Sequence, residues 1–308
     1  MDWYAKKNFS KKEDEDFGAV VENLAEPIKT YGLELRAAEA CNLTCVGCSQ
    51  SSPFLEPEYP DLHELEECLS LLSKVLSPGR LTVLGGEPLL NKDICSVLNI
   101  VRNCAMQAEI YLTTNGLLLD QTDDAFWELV DCIELSVYPA TRSILEKKLP
   151  SIRNMARAFN VRLDLLETDT FRHINLTHPI ENAPLIEKIY KACNFKMHCH
   201  TLYNGRFYLC APAPNVARAI EGRTGERIQF HSDGIEIVGN SRLNEQLVAY
   251  LSSESPLDAC SYCLGSSGVE FQHGMMKNNE LKHHALSFSD SLLDSDRMSF
   301  SYRNGLDR

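Results

Sequence analysis

Between residues 33 and 166 the chain alternates strand-like runs with helical repeats, and this alternation constrains the fold more than any other feature. Leu33-Glu34-Leu35-Arg36-Ala37-Ala38 alternates apolar and polar residues, the period of a half-buried strand. Asp61-Leu62-His63-Glu64 then reads as a capping box. Leu62, Leu65, Leu69, Leu72 and Leu76 recur at three- and four-residue steps until Ser77-Pro78-Gly79 stops them. The same spacing continues with a strand over 80–84, a helix near 92–104, a strand over 109–113 and the turn Asn115-Gly116. A helix near 122–130, a strand over 132–137, a helix near 141–158 and a strand over 161–166 follow. Such an order predicts a parallel sheet with right-handed crossovers, closed or partly closed like a barrel.

Past residue 190 the texture changes. Residues 200–209 read as a hairpin around Asn204-Gly205 and the later part is rich in turn residues, which predicts a small second domain. The stretch 286–308, rich in Ser, Asp and Arg, predicts a polar extended tail, and residues 14–30 predict a helix covering the barrel's side or end. The expected organisation is therefore an N-terminal helical segment over 1–30, a barrel over 31–190, a second domain over 191–285 and a tail over 286–308.

With 308 residues, 44% of them hydrophobic, the chain can bury a full core, which excludes a disordered tail or a small disulfide-stapled module. Apolar runs are short and broken by charge, and the N-terminus is polar, so a cytoplasmic protein without a membrane partner is expected. The net charge is −13, and the densest basic stretch, Lys6, Lys7, Lys11 and Lys12, is followed at once by Glu13-Asp14-Glu15-Asp16. A nucleic-acid partner would meet repulsion, so none is expected.

The twelve cysteines carry the chemistry, because in a reducing compartment the choice lies among metal ligands, catalytic thiols and small core residues. Cys41, Cys45 and Cys48 fall within eight residues, directly after the first strand. Three thiolates so placed can hold three irons of a cubane and leave the fourth open. A structural zinc site would want a fourth ligand, and no cysteine follows for nineteen residues. Cys68, Cys95, Cys104 and Cys132 lie among apolar neighbours on expected helices or strands and read as core residues.

The C-x3-C-x2-C run resembles the signature of the radical S-adenosylmethionine (SAM) enzymes. Gly85-Gly86-Glu87-Pro88 after the second strand resembles the family's GGE motif, which holds the SAM amino group. Thr113-Thr114-Asn115-Gly116 resembles its TNG turn, and Ser136 stands where the family contacts ribose or carboxylate. The resemblance spans about residues 31–170 and implies a partial (β/α)6 TIM-type barrel binding a [4Fe–4S] cluster and SAM. One position departs from the pattern: the residue before the third cysteine, usually aromatic and near the adenine, is Gly47, so adenine packing must come from elsewhere. Cys193-x16-Cys210-x49-Cys260-x2-Cys263, with Gly205 five residues before Cys210, resembles the SPASM and twitch extensions, the shorter twitch type fitting better. It implies a second, auxiliary [4Fe–4S] cluster in a small C-terminal domain. Cys199 is a fifth thiol that competes for a ligand position, and a zinc ribbon is the alternative use of such thiolates.

The resemblance implies reductive cleavage of SAM, driven by an external one-electron donor such as flavodoxin or ferredoxin, to a 5′-deoxyadenosyl radical that removes a hydrogen atom from substrate. The spacing of the second cysteine set is similar to that of aminocyclitol dehydrogenases of the family, so the expected substrate is a small hydroxy- or amino-bearing sugar or cyclitol. Oxidation would use the auxiliary cluster as electron acceptor, whereas epimerisation would use Cys199 as hydrogen donor. Tyr138, Arg142, Glu167, Asp169, Arg172 and His173, at the ends of the fourth and fifth strands, are the candidate substrate contacts, and His198 and His200 flank Cys199 as candidate donors to a cluster. A peptide-modifying enzyme of the SPASM type and a non-enzymatic iron–sulfur or zinc protein are the alternatives. Gly85-Gly86-Glu87 favours SAM binding over the latter.

Overall fold

A computed structural model describes residues 26–230, 232–277, 280 and 285–302. The expected N-terminal helix over 14–30 lies largely outside them. In chain order the strands and helices are β1 (Ile28–Thr30), β2 (Leu33–Ala38), α1 (Leu62–Leu72), β3 (Leu76–Pro78), β4 (Arg80–Gly85), α2 (Ile94–Asn103), β5 (Glu109–Thr114), α3 (Asp124–Trp127), β6 (Cys132–Val137) and α4 (Arg142–Ala158). These are followed by β7 (Arg162–Glu167), β8 (Thr170–Arg172), α5 (Ala183–Ala192), α6 (Phe195–His198), β9 (Thr201–Tyr203), β10 (Arg206–Tyr208), α7 (Ala213–Thr224), β11 (Gly234–Glu236), α8 (Leu243–Leu251) and β12 (Glu270–Gln272).

One eight-stranded sheet organises the molecule, in the order β11-β10-β9-β2-β4-β5-β6-β7. The strands from β9 to β7 in that order are parallel, with helices between them in sequence, the arrangement of a partial (β/α)6 TIM-type barrel. The five strands expected between 33 and 166 are all present and adjacent in the sheet. The sixth parallel strand, β9, comes from the hairpin assigned to the second domain, and it pairs Glu34 with Thr201 and Leu35 with Leu202 at the edge of β2. A boundary at 190/191 therefore cuts through a continuous sheet, because the hairpin satisfies the hydrogen bonds of an otherwise open edge.

The local signals hold where side chains close their own turns. Asp61 caps α1 by accepting from the Glu64 N–H at 2.9 Å. The helix ends at Leu72, four residues short of the Leu76 to which its repeat extends, because Leu76–Pro78 pairs with β1 instead. The core fills the space between sheet and helices, with Leu33, Leu35, Leu69, Leu72, Leu81, Val83, Leu98 and Leu112 essentially without exposure. Cys68 is buried there, and Cys95 and Cys104 pack against it. Residues 286–302 do not form a free tail: Leu286, Phe288, Leu292, Leu293 and Met298 pack with Leu176, Ile180 and Ile189 in a second apolar cluster against α5.

Candidate active site

β2 carries the chain into the first cysteine loop, and β4 brings Gly85-Gly86-Glu87 beside it. A Cβ on Gly85 would lie 2.0 Å from the Ala38 carbonyl oxygen, and one on Gly86 2.2 Å from that of Ala40, so only glycine permits this approach. The Gly86 N–H donates to Ala38 O at 2.7 Å and the Glu87 N–H to Ala40 O at 2.8 Å.

Glu87 is fully buried. Its carboxylate accepts from the Thr114 hydroxyl at 2.7 Å, the Asn115 N–H at 2.9 Å and the Leu89 N–H at 3.1 Å. Burial pushes its pKa up against the pull of these three bonds. Asn115 in turn donates from Nδ2 to Asn42 Oδ1 at 2.7 Å. One carboxylate thus ties together the loops carrying Cys41, Glu87 and Asn115.

Burial pushes the Cys41 thiol up to about 12, the Leu43 N–H opposes this, and Cys48 and Glu87 add to it. Burial likewise pushes Cys45 up to about 12, with Cys48 and Cys41 adding to it. Cys41 and Cys45, which hold their protons at neutral pH, ionise side by side only when metal takes the protons' place, which fits the donor set of a cluster site. Among the described residues no three His, Cys, Asp or Glu side chains converge as ligands of a single metal ion. A cubane takes its thiolates at separate irons.

The cysteine loop is braced from near the other end of the chain. Val46 N–H donates to Gly274 O at 2.9 Å, Met276 N–H to Thr44 O at 2.8 Å and the Thr44 hydroxyl to Met276 O at 2.7 Å. β12 pairs with β8 and sets the Phe271 ring where a Cβ of Gly47 would be, 2.5 Å from its Cζ, and Gly47 has φ +66°. His173 stacks on Phe271 at 4.4 Å between ring centres. His273 lies with Nε2 3.2 Å from Cys45 Sγ, stacked on Tyr138 at 4.9 Å and edge-on to Phe171 at 4.9 Å. Burial lowers its pKa. The Met275 sulfur lies 3.7 Å from Cys45 Sγ.

Of the candidate substrate contacts, the structure brings Tyr138 and His173 to this site. The Tyr138 phenol is hydrogen-bonded to Ser136 and its pKa is pushed up by burial, with Cys45, Cys48 and Cys41 adding to it. His173 lines a cavity with Gly47, Cys48, Asn175 and Arg223. Arg142 and Asp169 pair with each other at 2.7 Å on an exposed rim, and Glu167 is exposed. Arg172 is committed to structure: it bonds Glu270, Asp294 at 3.2 Å and the Gly268 carbonyl at 2.8 Å, and so anchors the C-terminal segments. Sequence reasoning missed Phe271, His273 and Met275, which reach the site from the segment around β12, and Arg223, which reaches it from α7. Arg223 in α7 sits 4.0 Å from the Phe54 ring centre; burial lowers its pKa to about 10, with Cys48 acting against that.

A second set of thiols gathers elsewhere. Cys193 follows α5, Cys210 follows β10, and Cys260 and Cys263 lie on the turn after Leu257. Burial pushes Cys210 well above the usual thiol range, with Cys193, Cys260 and Cys263 adding to it. Cys260 is raised by burial and then by Cys263 and Cys193, and Cys263 is pushed up to about 12 by burial with Cys193 adding. The four are therefore close enough for each to act on the charge of the others. The Gly265 N–H donates to Cys263 Sγ at 3.3 Å, and a Cβ on Gly265 would lie 2.5 Å from Cys193 Sγ. The buried Lys196 holds its ammonium 4.2 Å from the Tyr190 ring centre; burial lowers its pKa to about 8 while Cys193 and Cys260 favour the charge.

Cys199 faces another way. Burial raises its thiol pKa far, and the next causes are the charge and hydrogen bond of Glu34. Glu34 belongs to the amino end of β2, whereas Cys41 follows the carboxyl end at Ala38, about 13 Å along the strand at 3.3 Å per residue. The structure brings four of the five thiols together and turns Cys199 toward Glu34. His198 packs edge-on against Tyr31, and buried His200 bonds the Leu209 carbonyl at 2.9 Å through Nδ1.

Residues 36–168 match the Radical SAM superfamily. The matched stretch holds Cys41, Cys45 and Cys48, Gly85-Gly86-Glu87 and Asn115. The family's cofactors are a [4Fe–4S] cluster and SAM, and the thiol triplet beside Gly85-Gly86-Glu87 offers the donors for the cluster. The chain is 32% identical over 91 residues to a GTP 3′,8-cyclase of Peptoclostridium acidaminophilum, covering 29% of this chain and 28% of that protein. It is 27% identical over 146 residues to the GTP 3′,8-cyclase of Microcystis aeruginosa, covering 46% and 37%. The matches thus span about a third of those relatives. Among radical SAM structures, BtrN in complex with AdoMet and 2-DOIA aligns over 77% of this chain and 94% of its own at 14% identity, with a TM-score of 0.42. Streptococcus suis SuiB bound to S-adenosylmethionine aligns over 45% and 33% at 21% identity, with a TM-score of 0.32. No helix of the described residues is long and apolar enough to cross a membrane.

Proposed function

We propose that this radical SAM enzyme oxidises a small hydroxy- or amino-bearing metabolite of the sugar or cyclitol kind, and that Cys193, Cys210, Cys260 and Cys263 hold a second [4Fe–4S] cluster. The observation that carries this reading is the meeting of four thiols from three separate segments beside a buried ammonium. A buried cation is costly without countercharge, and beside Glu254 the thiols of Cys193 and Cys260 supply more of it when ionised, as metal-bound cysteines are. When bound, the first cluster with SAM supplies a radical that removes hydrogen from carbon, and the second supplies an acceptor for the electron left on substrate.

The chain's own residues bind, orient and shield. Cys41, Cys45 and Cys48 are the ligands of the first cluster. Gly85 and Gly86 open the backbone beside it. Glu87 fixes the Asn115 turn and keeps lone pairs free on its carboxylate, since among the described residues Oε2 accepts only from Asn115. Tyr138 stays protonated and presents a hydroxyl to the thiol side, and residues 270–276 cover the cysteine loop against water. Oxidation is favoured over epimerisation because the Cys199 thiol is bonded to Glu34 at the opposite end of β2. A second reading, a cyclase acting on GTP, is favoured by the GTP 3′,8-cyclase similarity, though a net charge of −13 opposes a triphosphate.

The test is anaerobic purification and reconstitution, iron and zinc counting, then SAM with a one-electron donor and either a panel of cyclitols and amino sugars or GTP. About eight irons, 5′-deoxyadenosine release and a ketone product support the proposal. About four irons plus zinc defeats the second cluster, and turnover of GTP alone transfers the assignment to the cyclase.

A further inference from the structure

We infer that His273 links the first cluster site to its ligand: its Nε2–H donates a hydrogen bond to the Cys45 sulfur, and its Nδ1 accepts one from an N–H or O–H group of bound SAM. This rests on the reading of Cys41, Cys45 and Cys48 as cluster ligands. The geometry is that of one ring with Nε2 committed and Nδ1 left without a partner among the described residues. Nε2 lies 3.2 Å from Cys45 Sγ, within the range of an N–H···S bond. A metal-bound thiolate sulfur has lone pairs and no proton, so the proton of this contact belongs to Nε2. The neutral ring then carries its acceptor at Nδ1.

Nδ1 is buried and has no partner among the described residues. The ring is not free to turn it toward solvent: Tyr138 lies parallel to it at 4.9 Å with an 8° interplanar angle, and Phe171 meets it edge-on at 4.9 Å. The backbone is fixed as well, for His273 N–H donates to Asp169 O at 2.9 Å, and Gly274 O and Met276 N–H are bonded to the cysteine loop itself. A buried acceptor held open in this way costs free energy in the empty protein, and a ligand that offers a donor removes the cost. SAM carries such donors on its amino, ribose and adenine groups. His273 is in this sense a positioning residue toward the cluster and a binding residue toward SAM, delivered by a segment some 230 positions from the cysteines it serves.

The reconstituted holoprotein tests both faces. His273→Phe preserves the aromatic stack and removes both nitrogens, whereas His273→Gln restores one donor and one acceptor. Electron-paramagnetic-resonance redox titration of the first cluster is expected to give a lower midpoint potential in His273→Phe, with recovery in His273→Gln. Equilibrium dialysis without reductant is expected to show SAM bound about tenfold more weakly by His273→Phe and within about threefold of wild type by His273→Gln. An unchanged potential in His273→Phe overturns the donor half, and an unchanged SAM affinity overturns the acceptor half. Should His273→Phe not fold, wild-type protein labelled with 15N-histidine decides: hyperfine coupling of the reduced cluster to an imidazole nitrogen is expected, and its absence overturns the link. A wild-type first site that takes up no iron defeats the cluster reading itself, an outcome distinct from all of these.

Discussion

The two thiol sets are built in opposite ways. Cys41, Cys45 and Cys48 lie on a single loop, and their spacing alone brings them together; what the fold adds is a brace from residues 270–276 and a clamp from Glu87. Cys193, Cys210, Cys260 and Cys263 come from the end of a helix, the end of a hairpin and a tight turn, and only the completed fold brings them together. A local set depends little on the global fold and the fold depends little on it. A dispersed set ties three segments at once, so whatever binds there stabilises the folded chain as well.

The largest expected contrast follows from that difference. Cys41→Ala should abolish SAM cleavage and remove about four irons while moving the melting temperature by no more than about 2 °C, because its loop keeps its backbone bonds. Cys260→Ala should spare SAM cleavage but lose the second set's iron and about 2–4 kcal/mol of stability, read by denaturant unfolding of the reconstituted protein. Equal losses of stability in the two variants would break the comparison. Next in size is the clamp: Glu87→Ala leaves the Thr114 hydroxyl and the Leu89 and Asn115 N–H groups without their buried acceptor, at about 2–4 kcal/mol, and also weakens SAM binding. Unchanged unfolding in Glu87→Ala would mean that water replaces the carboxylate and that the three loops are held otherwise.

The same local and dispersed division explains what could be read in the sequence. Strands at 33–38 and 132–137 were legible because alternation is a local property, and the Asp61 cap because its partner is three residues away. The hairpin around Asn204-Gly205 was legible too, but its attachment to β2 was not, since pairing with Glu34 and Leu35 is written nowhere in its own pattern. Glu270-Phe271-Gln272-His273-Gly274-Met275-Met276 alternates over three residues alone, too few to mark a strand by pattern, and it takes its place from β8 and from residues 44–46. Gly47 held a clue: a glycine where the family has an aromatic residue leaves room for a ring from elsewhere, and Phe271 is that ring. The tail was read as polar because Leu286, Phe288, Leu292, Leu293 and Met298 are scattered among Ser and Asp, although together they cover α5.

Glu34 sharpens the comparison from outside both sets. Burial raises its carboxyl from 4.5 to about 7, with Arg36, Arg80, Cys199 and Thr201 opposing the rise. A folded-state pKa above the unfolded value means that the folded chain binds the proton more tightly, so this contribution is complete below pH about 4.5 and is lost as pH rises through 7. Between pH 5 and 8 it should cost up to about 3 kcal/mol. Glu34→Gln should flatten that part of the stability profile, measured as the difference from wild type at each pH. An identical slope in the variant would place the titrating group elsewhere.

The smallest effect is expected at Cys199, and its smallness is what makes it informative. If this thiol were a ligand of the second set, Cys199→Ser would lower the iron count by about four and match Cys260→Ala in stability. The thiol instead bonds Glu34, whose charge and hydrogen bond act on it more strongly than Cys193 does. Exchange of sulfur for a hydroxyl keeps a donor for that carboxylate, so the iron count should stay at wild type and stability should change by less than about 1 kcal/mol. SAM cleavage and product should be unchanged as well, since the thiol sits at the amino end of β2 while the first cysteine loop leaves the carboxyl end. Loss of turnover with full iron content would instead return Cys199 to the role of hydrogen donor and the reaction to epimerisation.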